Sequence, residues 1–149
     1  EEFKGTVFRQ TMFAEFEQKV HEMGASGESL TSEALCGIYG KLNEDYFGPD
    51  MVSDPEISYE WERIPHFYTP FYVYQYATGF SAAIAISRRI MEGEPGILEG
   101  YKRFLSGGCS MEPVELLKLC GVDMSQSRPI EQALEFFEEL LDEFEVCMK

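Results

Sequence analysis

The chain has 149 residues, of which 44% are hydrophobic and 26% are charged; this balance suits a globular domain with its own core and excludes a disordered chain. The formal net charge of −15 repels nucleic-acid phosphates and anionic lipids, so we expect neither nucleic acid nor a membrane as a partner. The four cysteines fall in apolar runs without a CxxC pair, which is typical of reduced core residues and predicts a cytoplasmic protein.

The first half of the chain reads as helices separated by short loops. The sequence opens without a methionine and already inside a helical pattern, so we expect it to be a piece of a longer chain. Apolar residues at helical spacing predict a first helix over residues 3 to about 23, ended by Gly24. Thr31 can cap a second helix, which Gly48-Pro49 ends.

The middle of the chain is punctuated by prolines. Residues 56–64 are predicted to be helical up to Pro65, because the residue before a proline avoids the α region. Residues 66–68 then form a short connector. Thr69 and Pro70 are typical of an N-cap and a first helical position, and they predict a long helix that runs to Gly93.

The last part of the chain contains three more helical patterns. Residues 95–108 end in two glycines, residues 112–121 hold a short helix, and residues 129–149 form a strongly amphipathic one. No alternating strand pattern persists anywhere. The sequence therefore predicts an all-α, multi-helix domain over residues 1–149.

Common catalytic motifs are absent from these residues. There is no HExxH, GxSxG, phosphate-binding loop or dinucleotide glycine motif. His21 and His66 are the only histidines, and a local zinc site would have to recruit distant cysteines or carboxylates. We therefore assign no metal ligand within the chain.

The stretch IPHFYTPFYVYQYATGFSAA, residues 64–83, concentrates the remaining polar chemistry. Tyrosine and histidine can donate hydrogen bonds to an oxygen that develops negative charge, and the apolar parts of their rings can line a cleft. In a helix begun at Pro70, Tyr72 and Tyr76 would share a face, with Tyr74 on another. The same pattern also fits an aromatic core helix whose hydroxyls bond to backbone carbonyls, and composition alone does not separate the two.

Three blocks of the chain resemble a known family. They are KGTVFRQTMFAEFE (4–17), EWERIPHFYTPFYVYQYATGFSAA (60–83) and YKRFLSGGCSMEPVELLKLCGVDM (101–124). In this order they resemble the carboxy-terminal part of the oligoendopeptidase F enzymes, within the thimet oligopeptidase family of zinc metallopeptidases. The resemblance covers nearly the whole chain.

The resemblance implies a fold and a reaction. Such zincin-type enzymes are almost wholly helical and cleave short peptides inside a deep channel. Their zinc is held by HExxH and a glutamate, all upstream of the region matched here. The resemblance thus implies a fragment of a larger peptidase catalytic domain that uses zinc in the intact enzyme and is inactive alone.

The resemblance also implies roles for individual residues. In the family, a downstream block of histidine and tyrosines faces the zinc, binds the substrate backbone and polarises the scissile carbonyl. Carried over in order, His66 and Tyr72 take catalytic roles, and Tyr68 and Tyr74 bind substrate. Tyr76 is the remaining candidate for the last tyrosine. Two acidic residues of the first block, Glu15 and Glu17, are expected to be structural and not zinc ligands.

Two functional hypotheses follow. The first is a zinc metalloendopeptidase acting on oligopeptides, for which this piece supplies the substrate-binding and oxyanion-stabilising wall. The alternative is a non-enzymatic, acidic helical module that binds a protein partner through an aromatic groove. From the first hypothesis we expect the isolated piece to self-associate, because one half of a two-sided channel would expose a concave apolar and aromatic surface to water.

Overall fold

The structure is a computed structural model that describes all 149 residues. It consists of helices and turns without a β-strand, which confirms the all-α prediction. The chain divides into two compact units, residues 1–77 and residues 78–149. None of the helices combines the length and the apolar character that a membrane crossing requires.

The first unit is built on two long helices. A π-helical turn, Lys4–Phe8, leads into α1, Arg9–Ala25, and α2 covers Ser32–Phe47. Thr31 caps α2 as predicted, because its Oγ1 accepts the backbone N–H of Ala34 at 3.3 Å. Gly48, with φ of 77°, ends α2 where the sequence indicated.

The core of this unit joins both helices to the segment that follows them. Its buried members are Met12, Phe13, Phe16, Tyr39, Leu42, Ile64 and Val73. The rings of Phe16 and Tyr39 meet edge to face with centroids 5.2 Å apart. Because Ile64 and Val73 belong to this core, residues 64–73 are anchored to α1 and α2 at both ends.

The proline-flanked middle of the chain is helical but is not an α-helix. It forms two short 3-10 helices, Pro55–Arg63 and Pro65–Tyr68. Ile64 lies between them in an extended conformation, as expected for a residue before proline. The predicted break at Pro65 is therefore confirmed, while the connector at 66–68 is itself a 3-10 turn.

The predicted start of the third long helix was wrong by four residues. Helix α3 covers Tyr74–Met91 and does not begin at Thr69-Pro70. Phe71 has a φ of +59°, which no helix can contain, and its N–H donates to Glu17 Oε1 at 2.8 Å. A long-range contact thus replaces the first helical turn.

The second unit holds the rest of α3 and three further helices. These are α4, Ile97–Gly107, α5, Pro113–Lys118, and α6, Arg128–Cys147. Helix α3 carries five buried residues, Ser81, Ala82, Ile84, Ala85 and Ile86, more than any other helix. Gly100 allows close packing, because a Cβ there would lie 2.3 Å from the carbonyl oxygen of Leu119.

The cysteines are only partly where the sequence placed them. All four are free thiols. Cys120 is buried, and that burial raises the pKa of its thiol. Cys36 is half-buried, whereas Cys109 and Cys147 are exposed. The prediction of core placement is therefore wrong for Cys109 and Cys147, which lie beyond the end of α4 and at the last residue of α6.

Candidate active site

Three rings from the aromatic stretch meet at the surface of the first unit; we call them the ring cluster, His66, Tyr72 and Tyr76. The imidazole of His66 stacks on the ring of Tyr72 with centroids 5.8 Å apart and an interplanar angle of 14°. Tyr76 meets both rings edge to face, at 5.8 Å from His66 and 5.6 Å from Tyr72. Residues that lie up to ten positions apart thus form one compact group.

The polar atoms of the ring cluster face water. The Tyr76 hydroxyl lies 3.3 Å from His66 Nε2, and the imidazole tautomer decides which of the two donates. Tyr72 and Tyr76 are 40% and 38% exposed. A hydrogen bond with Tyr72 is the main cause that raises the pKa of Tyr76, with a smaller effect of desolvation. The Tyr76 hydroxyl therefore stays protonated at neutral pH and can donate.

The position of His66 follows from its neighbours in the 3-10 turn. Ile64 is buried in the core, and Phe67 packs its ring on Phe13 and Phe16 with centroids 5.7 and 5.3 Å away. These inward residues fix the turn on α1. His66, which is half-buried, and Tyr68, which is exposed, flank Phe67 in this turn and do not belong to that core.

The position of Tyr72 follows in the same way. Val73 is 1% exposed and belongs to the core, whereas Tyr72 before it is 40% exposed. The left-handed conformation of Phe71 turns the backbone just before Tyr72. Tyr76 lies in the first turn of α3 and is thereby placed beside Tyr72.

The other two tyrosines assigned from the sequence line separate depressions. Tyr68 is 86% exposed and borders a small apolar hollow of about 190 Å³ with Trp61 and Phe67. Tyr74 borders a cleft of about 660 Å³ together with Phe71. The structure therefore brings His66 and Tyr72 together, joins Tyr76 to them, and places Tyr68 and Tyr74 to either side in different hollows.

A buried polar network supports the segment that precedes His66. The carboxylate of Glu60 accepts the Tyr39 hydroxyl at 2.6 Å, Arg9 at 2.5 Å, and Arg63. Burial opposes ionisation of Glu60, but the hydrogen bonds from Arg9 and Tyr39 outweigh it and hold its pKa below the usual 4.5. Sequence reasoning missed this network, because Tyr39 and Arg9 are 21 and 51 residues away from Glu60.

The two glutamates of the first block have protein partners. Glu15 accepts the Tyr46 hydroxyl at 2.8 Å and pairs with Lys19 at 3.2 Å. Burial, followed by that hydrogen bond, raises the pKa of Tyr46 to about 12. Glu17 is buried and accepts the N–H of Phe71. No three histidine, cysteine or acidic side chains of the 149 residues are placed so that they could hold a metal ion, so these residues do not fit a zinc site by themselves.

The profile of Peptidase family M3 matches residues 2–136, which include the whole ring cluster. The chain belongs to peptidase family M3. It is 56% identical over 146 residues to Oligopeptidase PepF of Bacillus subtilis (strain 168), a match that covers 97% of this chain and 22% of that protein. It is 49% identical over 143 residues to the protein named Oligoendopeptidase F, plasmid, of Lactococcus lactis subsp. cremoris, covering 96% of this chain and 24% of the relative.

A solved structure agrees with this M3 assignment. The crystal structure of oligoendopeptidase-F from Enterococcus faecium superposes with a TM-score of 0.95 at 53% identity, over 98% of this chain and 28% of that chain. The family resemblance drawn from the three sequence blocks is thereby confirmed. The M3 chain described here spans about a quarter of the length of the relatives that it matches.

Proposed function

We propose that the protein to which these residues belong is a zinc-dependent metalloendopeptidase that hydrolyses short peptides. Membership of peptidase family M3 and the similarity to proteins named oligopeptidase and oligoendopeptidase F support this proposal. Residues 1–149 would be the carboxy-terminal part of its catalytic domain, which is in keeping with the quarter of the relatives' length that they span.

The ligands of the zinc ion would lie outside residues 1–149. The family resemblance implies a zinc ion held by an HExxH motif, where it would activate water for attack on a peptide carbonyl. The present chain holds no group of side chains that fits such an ion. Its proposed contribution is therefore the part of the site that holds and polarises the peptide.

The ring cluster is the observation that carries the proposal. It places two phenol hydroxyls and one imidazole within one another's reach on an exposed surface. A phenol that donates to the carbonyl oxygen of a bound peptide donates more strongly when that oxygen becomes an alkoxide. Tyr72 and His66 take this role in our proposal, and Tyr76 is held against both of them.

Two flanking tyrosines would bind the rest of the peptide. Tyr68 and Tyr74 present exposed rings beside separate hollows. An aromatic ring beside an apolar hollow suits a peptide side chain, because ring and side chain bury each other's apolar surface. The cluster itself favours Tyr76 over Tyr74 as the second donor to the reacting carbonyl, because Tyr76 contacts both His66 and Tyr72.

The test is kinetic and uses the full-length protein. Tyr72→Phe keeps the ring and removes only the donor, so kcat should fall roughly a hundredfold with little change in KM. Tyr59→Phe is the matched control, since Tyr59 is exposed and lies outside the cluster; it should keep normal turnover. Wild-type turnover in both Tyr72→Phe and Tyr76→Phe would contradict the proposal.

A second measurement separates a substrate donor from a metal ligand. His66→Ala should lower kcat/KM while the zinc content of the protein, measured by elemental analysis, stays unchanged. Loss of zinc in this variant would show that His66 is a ligand and not a substrate donor. We also propose a cytoplasmic location, because four free thiols suit a reducing compartment.

A further inference from the structure

Phe71 has a backbone conformation that large L-residues rarely adopt. Its φ is +59°, and it is the only residue other than glycine with a positive φ among the 149. A bulky side chain in this region is a conformational outlier, which persists only when its surroundings hold it. The residue lies immediately before Tyr72, so whatever holds Phe71 also sets the direction in which Tyr72 leaves the backbone.

A buried carboxylate on α1 holds the backbone of Phe71. Glu17 is only 6% exposed, and its Oε1 accepts the N–H of Phe71 at 2.8 Å across 54 residues of sequence. Hydrogen bonds to a carboxylate are stronger than those between neutral groups. A buried carboxylate left without a donor would be costly, so Glu17 and the strained amide stabilise each other.

The side chain of Phe71 is held by the same face of α1. The imidazole of His21 lies against the Phe71 ring with centroids 4.7 Å apart. Glu17 and His21 are separated by one helical turn, which places them on one face of the helix. Helix α1 therefore contacts Phe71 twice, through its backbone amide and through its ring.

The residue after Tyr72 is fixed as well. Val73 is buried in the core formed with α1 and α2. Tyr72 is therefore placed between a clamped Phe71 and an anchored Val73, with its ring stacked on His66. If the contact from Glu17 is lost, we expect Phe71 to relax towards an ordinary φ, which would change the direction in which Tyr72 leaves the backbone.

We propose that Glu17 is a positioning residue, which accepts a hydrogen bond from the Phe71 amide and thereby sets the Tyr72 ring against His66. The consequence for catalysis rests on the function proposed above. Glu17 does not touch the substrate in this proposal and acts only through the backbone at Phe71. A displacement of about 1 Å in a catalytic group can lower the reaction rate by roughly a hundredfold. We therefore expect the loss of Glu17 to lower turnover.

The first measurement detects the hydrogen bond between Glu17 and Phe71 and does not depend on catalysis. In the full-length protein, Glu17→Met keeps the buried volume and removes the acceptor, and Glu17→Ala is tested beside it. Hydrogen–deuterium exchange at the Phe71 amide should become about ten- to hundredfold faster, the loss expected for a hydrogen bond to a charged group. Glu15→Ala is the control, because Glu15 binds Tyr46 on α2 and should leave exchange at Phe71 unchanged.

The second measurement uses enzyme kinetics to test whether Glu17 positions Tyr72. Glu17→Met should lower kcat on the order of tenfold or more with little change in KM or zinc content. Glu17→Gln keeps an acceptor oxygen and should restore both the slow exchange and the turnover. If Glu17 only stabilised the fold, folded Glu17→Met protein would not show a lower kcat with an unchanged KM. Glutamine at this position would then also not restore turnover.

The outcomes separate this proposal from the function on which it rests. Unchanged exchange at Phe71 in Glu17→Met would overturn it, and so would faster exchange with normal turnover. If Tyr72→Phe itself keeps normal turnover, the proposed function of Tyr72 fails, and the catalytic role of Glu17 is overturned with it. Fast exchange, reduced kcat and rescue by glutamine together would support it.

Discussion

Replacement of Glu60 by alanine tests whether the buried network holds the segment that carries His66. The Glu60 carboxylate joins Tyr39 of α2 and Arg9 of α1 to the 3-10 helix Pro55–Arg63. Its removal leaves the Tyr39 hydroxyl without an acceptor in a place that water does not reach, since Tyr39 is 0% exposed. We therefore expect local destabilisation just before the ring cluster.

The contacts set the size of the effect. Breaking a buried, hydrogen-bonded ion pair by removing one partner costs about 3 to 5 kcal/mol. Arg63 adds little, because its side chain is 71% exposed and exposed pairs are worth about 0 to 1 kcal/mol. Arg9 can also regain some water, as its side chain is 30% exposed. We expect a loss near the lower limit, about 3 kcal/mol in the free energy of unfolding.

Urea denaturation of the 149-residue chain can measure this loss. Trp61 is its single tryptophan and follows Glu60 directly, with its ring 6.4 Å from that of Phe16 in the same core. Its fluorescence therefore reports on this region. Glu62→Ala, two residues away and exposed, should change the free energy by no more than about 0.5 kcal/mol. Equal stability of Glu60→Ala and Glu62→Ala would refute the reasoning.

Three further predictions concern pH, packing and assembly. Because the folded-state pKa of Glu60 is lowered, the ionised carboxylate stabilises the fold fully above pH 4.5, and this stabilisation is lost as pH falls through the folded-state pKa. When the free energy of unfolding is measured against falling pH, Glu60→Gln should therefore lose less stability than the wild type. Equal slopes in acid for the two proteins would count against this. Gly100→Ala should destabilise by about 1 to 3 kcal/mol in thermal unfolding, since its Cβ would overlap the Leu119 carbonyl, whereas Gly79→Ala in α3, with open space around its Cβ, should stabilise by roughly 0.5 to 1 kcal/mol. The isolated 149-residue chain should form dimers or larger species in light scattering, because α6 exposes several large apolar side chains; a clean monomer at high concentration would contradict this.

Several helix ends could be predicted because they depend on local chemistry, although α1 continues to Ala25 and passes its predicted end at Gly24. Thr31 caps α2 through its own hydroxyl, and Gly48 ends it through its positive φ. Gly107-Gly108 closes α4 for the same reason. Each of these signals acts within four residues of the chain and is therefore visible in the sequence.

The start of α3 could not be predicted in this way. Thr69 and Pro70 are good local signals for a helix start, yet the helix begins at Tyr74. The competing interaction is the hydrogen bond between the Phe71 amide and Glu17, 54 residues earlier in the chain. A contact of this range has no local signature, so a propensity argument selects the wrong residue.

The aromatic stretch contains both side chains that pack into the core and side chains that do not. Ile64, Phe67 and Val73 pack into the core, as the interpretation of an aromatic core helix expected of the whole stretch. His66 and Tyr72 lie between these residues in sequence; His66 is half-buried and Tyr72 is exposed.

The packed residues of this segment determine the geometry of the ring cluster. A short 3-10 turn and a strained connector have few hydrogen bonds of their own and cannot hold exposed rings in fixed places. Burial of Ile64 and Val73, with Phe67 packed on Phe13 and Phe16, supplies the missing constraint, because side chains in a core are confined by close packing. The rings of His66 and Tyr72 are therefore positioned by their neighbours Phe67 and Val73, and we expect a cavity at either of these two positions to loosen the ring cluster.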